Sequence, residues 1–235
     1  MDTTSTSGVE LRSTGRRVQA RAAAACGALF TLGILIGDDT INRAGEAPNP
    51  LDRGDSLAAV ERYLANAAEA SADGSYWVGR GFGTLALVAL LVFSAHVARE
   101  IRLREQDSGS LSGLSLGAGM VAVALGLVSC TAQFAAVARA SEGIDSEIAR
   151  AMLDISGLTF VLMWLPIAVF MTSVAVAGKR HAMLPRWLTI TTAVLAAAMF
   201  VGIAVMPVSA AGFIAVMLGF LWFIAASIAF VQRAT

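Results

Sequence analysis

Charged side chains are scarce in this sequence, at 14% of residues against roughly a quarter in soluble proteins, while apolar residues reach 57% and the mean hydropathy is +0.71. A soluble core does not need this much apolar surface; a polytopic membrane protein does. Formal net charge is zero, which removes a basic nucleic-acid surface from consideration. The two cysteines are too few for a disulfide framework. Cys26 and Cys130 are expected at depths roughly 15 Å apart, out of reach of a single bridge, and read as small packing residues. Lysine is nearly missing: Lys179 is the one lysine among 17 basic residues, a composition that suggests a GC-rich, bacterial genome.

Motifs of chemistry are missing as well. There is no HExxH, no Walker-type phosphate loop and no CxxC. The run Gly79-Arg80-Gly81-Phe82-Gly83 has a superficial likeness to a dinucleotide fingerprint, but no strand precedes it and the spacing is wrong. His96 and His181 both fall at an interface, where lone histidines are usually solvated. No acid, base or metal set clusters, so neither an enzyme nor a cofactor is expected.

What the chain does have is long runs without charge. Residues 155–178 hold none and are followed at once by Lys179, Arg180 and His181. At about 1.5 Å per residue this run exceeds the ~30 Å hydrocarbon thickness. Residues 188–231 are also free of charge, too long for one span and divided by Pro207. The expected fold is all-α, a polytopic bundle of six transmembrane helices at about 20–38, 77–97, 113–138, 155–178, 187–206 and 209–231, with a tight turn at 206–210. Residues 1–19 are polar and Ser/Thr-rich and are expected to form a disordered cytoplasmic tail. Arg16-Arg17 ahead of the first span lacks the surroundings of a twin-arginine signal, so that span is expected to stay as an anchor.

The sizeable extramembrane piece lies between the first two spans. Its Pro- and Gly-containing start should be irregular, and a helix over about 56–70 follows, capped by Asp55 or Ser56 and striped by Leu57, Val60, Leu64 and Ala67. It is expected to lie as a cap on the outer membrane surface or on the bundle mouth, with a partner-docking helix as the alternative. A second cap, Asp145 or Ser146, should start the helix that runs into the fourth span, where Pro166 removes a backbone donor and should bend the chain. Arginine and lysine occur in every connection on one side: near the N-terminus to Arg21, at Arg99, Arg102 and Arg104, at Lys179, Arg180 and Arg186, and at Arg233. Carboxylates gather in the other connections. The positive-inside rule then puts both termini in the cytoplasm and the protein in the plasma membrane as a multi-pass protein.

Polar residues within the spans gather at the outer ends: Asp38, Arg80, Ser129, Thr131, Gln133 and Asp154. Buried charge in a membrane usually faces the bundle or water. Asp38, Arg80, Gln133 and Asp154 are the candidate ligand-binding set, the alternative being interfacial groups that simply reach water, and Asp38 or Asp39 is expected to pair with Arg80. That pairing follows if Gly33 and Gly37 pack on Gly79 and Gly83, because small residues let membrane helices approach closely. Gly113 with Gly117 is a further candidate contact. Trp164 and Trp222 fall near mid-membrane, where each indole N–H needs an acceptor.

Around Leu184-Pro185-Arg186-Trp187-Leu188, after a short basic stretch, the chain resembles an uncharacterised family of bacterial six-helix integral membrane proteins, a domain of unknown function. That family also has a long outer first loop with a short helix. The resemblance implies the six-helix fold and brings no activity, substrate or catalytic residue. A structural, accessory or sensory membrane protein is expected, with a small transporter or ligand-binding protein as the alternative. The lipid bilayer is the expected partner, together with another membrane protein or a second copy of the chain.

Overall fold

The computed structural model describes residues 5–42, 57–105, 109–205 and 211–233, with side chains from 17 to 38 in the first segment and from 213 in the last. The described residues form eight α-helices and one 3-10 turn: α1 (Ser5–Asn42), α2 (Leu57–Ala72), α3 (Ser75–Arg102), α4 (Ser110–Ala138), the turn Ala140–Glu142, α5 (Ser146–Leu162), α6 (Trp164–His181), α7 (Arg186–Val205) and α8 (Ala211–Arg233). Six segments are long and apolar enough to cross a membrane: Arg17–Asp38, Ser75–Arg102, Ser110–Glu142, Ser146–His181, Arg186–Val205 and Phe213–Arg233. The expected irregular start of the first long connection, its Asp55 or Ser56 cap and the turn at 206–210 lie outside the described residues.

The six segments close into a ring. α1 packs on α3, α3 on α4, α4 on α5 and α6, α6 on α7, α7 on α8, and α8 returns to α1. Alternation along the chain gives each span two antiparallel neighbours. Large aromatics fill the centre: Phe93 meets Phe170, Phe223 and Phe230 edge-on, and Phe30 meets Phe223 with centroids 4.9 Å apart. Such offset and edge contacts suit the ring quadrupoles. The outside of the ring is apolar too, with Leu85, Val194, Val201 and Leu221 all more than 60% exposed. This is the surface a lipid solvent accepts.

Close helix approach sits where glycine allows it. A Cβ on Gly37 would stand 2.9 Å from the Gly79 carbonyl oxygen and 3.2 Å from the Gly83 nitrogen, and one on Gly33 would stand 2.8 Å from Ala86 Cβ. The Gly33/Gly37 face of α1 therefore packs on the Gly79/Gly83 stretch of α3, as expected. Gly113 and Gly117 face open space. Hydroxyls add cross-helix bonds: Thr31 Oγ1 donates to the Phe220 carbonyl at 3.1 Å, and Ser129 Oγ to the Ser156 carbonyl at 2.8 Å. Trp222 Nε1 donates to Thr192 Oγ1 at 2.7 Å, whereas Trp164 Nε1 is buried without a partner among the described residues.

Two features depart from the sequence reading. α1 begins at Ser5 rather than near 20, so helix replaces the expected disordered tail over 5–19. Once the span is helical, extending it costs no new nucleus, and the weakest helix formers in 5–19, Gly8 and Gly15, cost only about 1 kcal/mol each. The fourth span is divided at Met163, three residues ahead of Pro166. Pro166 has no N–H to offer the Leu162 carbonyl, and the next bond, from Ile167 N to the Met163 carbonyl, is stretched to 3.4 Å.

Helix ends are capped by side chains at the water-facing levels. Asp145 accepts from the amides of Glu147 and Ile148 at 2.9 and 3.2 Å, as expected of a cap. Glu105 accepts from the Leu111 and Ser112 amides at the start of α4, which holds its carboxyl below the usual range. The Leu111 bond is the main cause.

Candidate functional site

At the end of the bundle covered by α2, a cavity of about 450 Å³ opens between α8 and α1 on one side and α4 and α5 on the other. Its lower walls are apolar: Leu87, Phe160, Met163, Met217 and Phe220. Polar groups collect nearer the α2 end, where Asp38, Arg80, Gln133 and Tyr63 line it, with Ser129, Cys130 and Ser156 part-way down. The floor lies at Met163, the residue at which the fourth span is interrupted, and Phe160 and Phe220 at this level pack edge-on against Trp164.

Each polar group arrives through a local rule. Asp38 is carried by the last turns of α1, beside the Gly37–Gly79 contact that brings α1 against α3 at the height of Arg80. Arg80 donates from Nε to Tyr76 Oη at 3.2 Å and lies over the Tyr76 ring with its guanidinium carbon 5.3 Å from the centroid. This cation–π contact and hydrogen bond hold the arginine along α3. Gln133 donates from Nε2 to Tyr63 Oη at 2.6 Å, tying α4 to α2. Tyr63 sits on the buried stripe of α2 with Val60, Leu64, Ala67 and Ala70, which packs on α3, α4 and α5. Burial pushes the Tyr63 hydroxyl above its usual pKa, opposed by the Gln133 hydrogen bond and the Arg80 charge.

Three of the four expected site residues thus share one wall system: Asp38, Arg80 and Gln133. Asp154 does not. Leu153, Ser156, Gly157 and Phe160 recur at helical spacing along the cavity wall, and Asp154 lies about 100° round α5 from Leu153. It stands instead on the outer flank, 4.0 Å from Arg150 one turn back and partly exposed. The expected ion pair of Arg80 with Asp38 is likewise not among the ion pairs within 4 Å of the described residues. Tyr76 lies one turn back on the same helix and takes the Arg80 Nε without any inter-helix adjustment. The Asp39 side chain lies outside the described residues.

Tyr63 is a lining residue that the sequence reading did not single out, while Cys130, read as a packing residue, lines the cavity wall and Tyr76 supports Arg80. The available signal was a tyrosine on the apolar stripe of an amphipathic helix, since a hydroxyl placed there must find a partner. His96 is a second difference: it is 7% exposed, not solvated, because α8 lays Phe230 edge-on against its imidazole. Among the described residues no group of three His, Cys, Asp or Glu could hold a metal ion. A larger furrow of about 820 Å³ runs between α6 and α7, past Val176, Ile190 and Phe200, and contains none of the expected site residues.

Fold and cavity together define an all-helical bundle with six helices able to cross a membrane and an amphipathic pocket at one end. Compared with known families, with curated proteins and with solved structures, the chain shows no match to any of them.

Proposed function

We propose that this protein is a plasma-membrane binding protein of the sensory or accessory kind, which holds an amphipathic small molecule in the α2-covered cavity. It acts without catalysis on this reading, and its termini lie in the cytoplasm. The observation that carries the proposal is the cavity itself: about 450 Å³, within the usual ligand range of roughly 300 to 1,000 Å³, with an apolar floor and Asp38, Arg80 and Gln133 at its polar end. Such a site suits a molecule with an apolar tail and a head that both donates and accepts hydrogen bonds. Arg80 brings a positive charge to this end, anchored through Nε on Tyr76 and acting on the Tyr63 hydroxyl as well.

Cys130 in the wall provides the test. In a Cys26→Ala protein it is the one remaining thiol. A dansyl-labelled undecanoic acid should bind the purified full chain saturably, slow maleimide labelling of Cys130, and bind more weakly to Arg80→Gln. Unsaturable partition with unchanged Cys130 labelling would remove this reading and leave a sealed structural bundle.

A carrier is the second reading, supported by the interruption at Met163 on the cavity floor. Transporters commonly place substrate near mid-membrane at discontinuous helices. Transport requires Cys130 to become reactive from both sides of the membrane in turn, whereas a binding protein exposes it from one.

A further inference from the structure

At the opposite end of the bundle from α2, a smaller pocket of about 220 Å³ lies between α1, α3, α8 and the connection from α6 to α7. Arg17, His96, Arg99, Glu100, Arg104 and Arg233 line it. Four guanidiniums therefore face one carboxylate, and that carboxylate is already committed: Glu100 Oε2 is paired with Arg104 Nη1 at 2.6 Å. The excess, four positive charges less one negative, is three.

Two of these arginines are held in place rather than waving in solvent. Arg104 Nη1 also donates to the Glu100 carbonyl at 2.7 Å, and Arg233 Nη1 donates to the carbonyls of Ala182 and Met183 at 2.9 and 2.5 Å. In each case the described bonds use Nη1, so Nε and Nη2 remain for another acceptor. His96 is 7% exposed, its ring meets Phe230 edge-on, and it lines the same pocket. Its imidazole thus adds a hydrogen-bonding ring to the guanidiniums of the lining.

We propose that this pocket binds a phosphate group, as the free anion or as the phosphomonoester of a lipid headgroup. Planar guanidinium forks from α3 and α8, joined by Arg17 from α1, converge on one small volume, and an anion with three or more acceptor oxygens can satisfy several at once. A monocarboxylate has too few oxygens and half the charge. The remaining volume takes the first atoms of an ester. This site is independent of the α2-covered cavity, which lies at the other end of the spans.

The test uses the full-length protein in neutral detergent, titrated calorimetrically with inorganic phosphate, and the same protein in phosphatidylcholine nanodiscs with and without phosphatidic acid. Arg99→Gln and Arg17→Gln alter exposed lining side chains and keep the fold, verified by circular dichroism; Arg180→Gln, outside the pocket, is the control. Saturable phosphate binding weakened about tenfold by the lining variants and less than twofold by the control establishes the site with the free anion as ligand. Stabilisation by phosphatidic acid alone, with the same variant pattern, establishes it with a lipid headgroup as ligand. No saturable response to either probe, or an Arg180→Gln effect equal to that of Arg99→Gln, overturns the proposal.

Discussion

Gln133 and Tyr63 are 70 residues apart in sequence and 2.6 Å apart in space, and their hydrogen bond is the direct polar link between α4 and the cap helix α2. Removing the hydroxyl with Tyr63→Phe leaves the ring packing intact and the Gln133 amide short of a partner in a half-buried site. The expected cost is about 1 to 3 kcal/mol, borne mainly by α2. Hydrogen exchange resolved to 57–72 checks it: α2 should open faster while α7 and α8 keep their protection.

Gly37 separates a packing role from mere composition. Gly37→Ala forces a Cβ within 2.9 Å of a backbone oxygen that cannot move aside without moving α3, whereas Gly113→Ala adds a methyl to open space. The first should destabilise by roughly 1 to 3 kcal/mol and the second should be neutral or slightly stabilising. Thermal unfolding in detergent distinguishes them, and equal effects would mean that α1 and α3 do not meet at these glycines.

Thr192→Val keeps side-chain shape and removes the acceptor of the Trp222 indole, buried between α7 and α8. An unsatisfied N–H there costs about 1 to 3 kcal/mol. Tryptophan emission should shift to the blue as the indole loses its hydrogen bond, and an unchanged spectrum together with unchanged stability would place Trp222 elsewhere.

Glu105 should make the start of α4 sensitive to acid. Its carboxyl titrates below the ordinary value of 4.5 because the ionised form accepts the Leu111 and Ser112 amides. The depressed folded pKa means that this contribution is fully present above 4.5 and is lost as pH falls through the lower, folded value. Amide exchange at Leu111 and Ser112, corrected for the intrinsic pH dependence, should rise in that window, and Glu105→Gln should abolish the pH response.

Reporter fusions after Gln106 and at Thr235 should read the same compartment, and one at Asn49 the other. The motive is the gathering of Arg17, Arg99, Arg104 and Arg233 around one pocket and of Asp38, Arg80 and Gln133 around another. Agreement between the Asn49 and Gln106 reporters would contradict a six-span path.

The sequence made depth legible and rotation much less so. Charge-free runs ended by arginine or aspartate mark where a helix must leave lipid, so the spans and the common height of Asp38, Arg80 and Gln133 could be read directly. Asp154 has the right depth, but a helix turns about 100° per residue and its Leu153 neighbour faces the cavity instead. α2 shows the same limit: Leu57, placed on its buried stripe by spacing, is exposed at 39%, while Tyr63 is buried. His96 was expected to be solvated at an interface, yet it is buried, and that burial depends on Phe230 of α8, 134 positions further along the numbering. The pairing of α1 with α8 carries no local sequence signal of its own.

That pairing sets a timetable for biogenesis. Thr31 and the Phe220 carbonyl it binds are 189 residues apart, so α1 is synthesised long before its second neighbour exists. At about 5 to 20 residues per second the interval is roughly 10 to 40 s. During it, the α8-facing side of α1, with the Thr31 hydroxyl and the Phe30 ring, must be sheltered by lipid, by the insertion machinery or by a provisional helix contact. A chain that stops before α8 never completes the ring, and α1 then presents its unmatched side to the cell's membrane quality control.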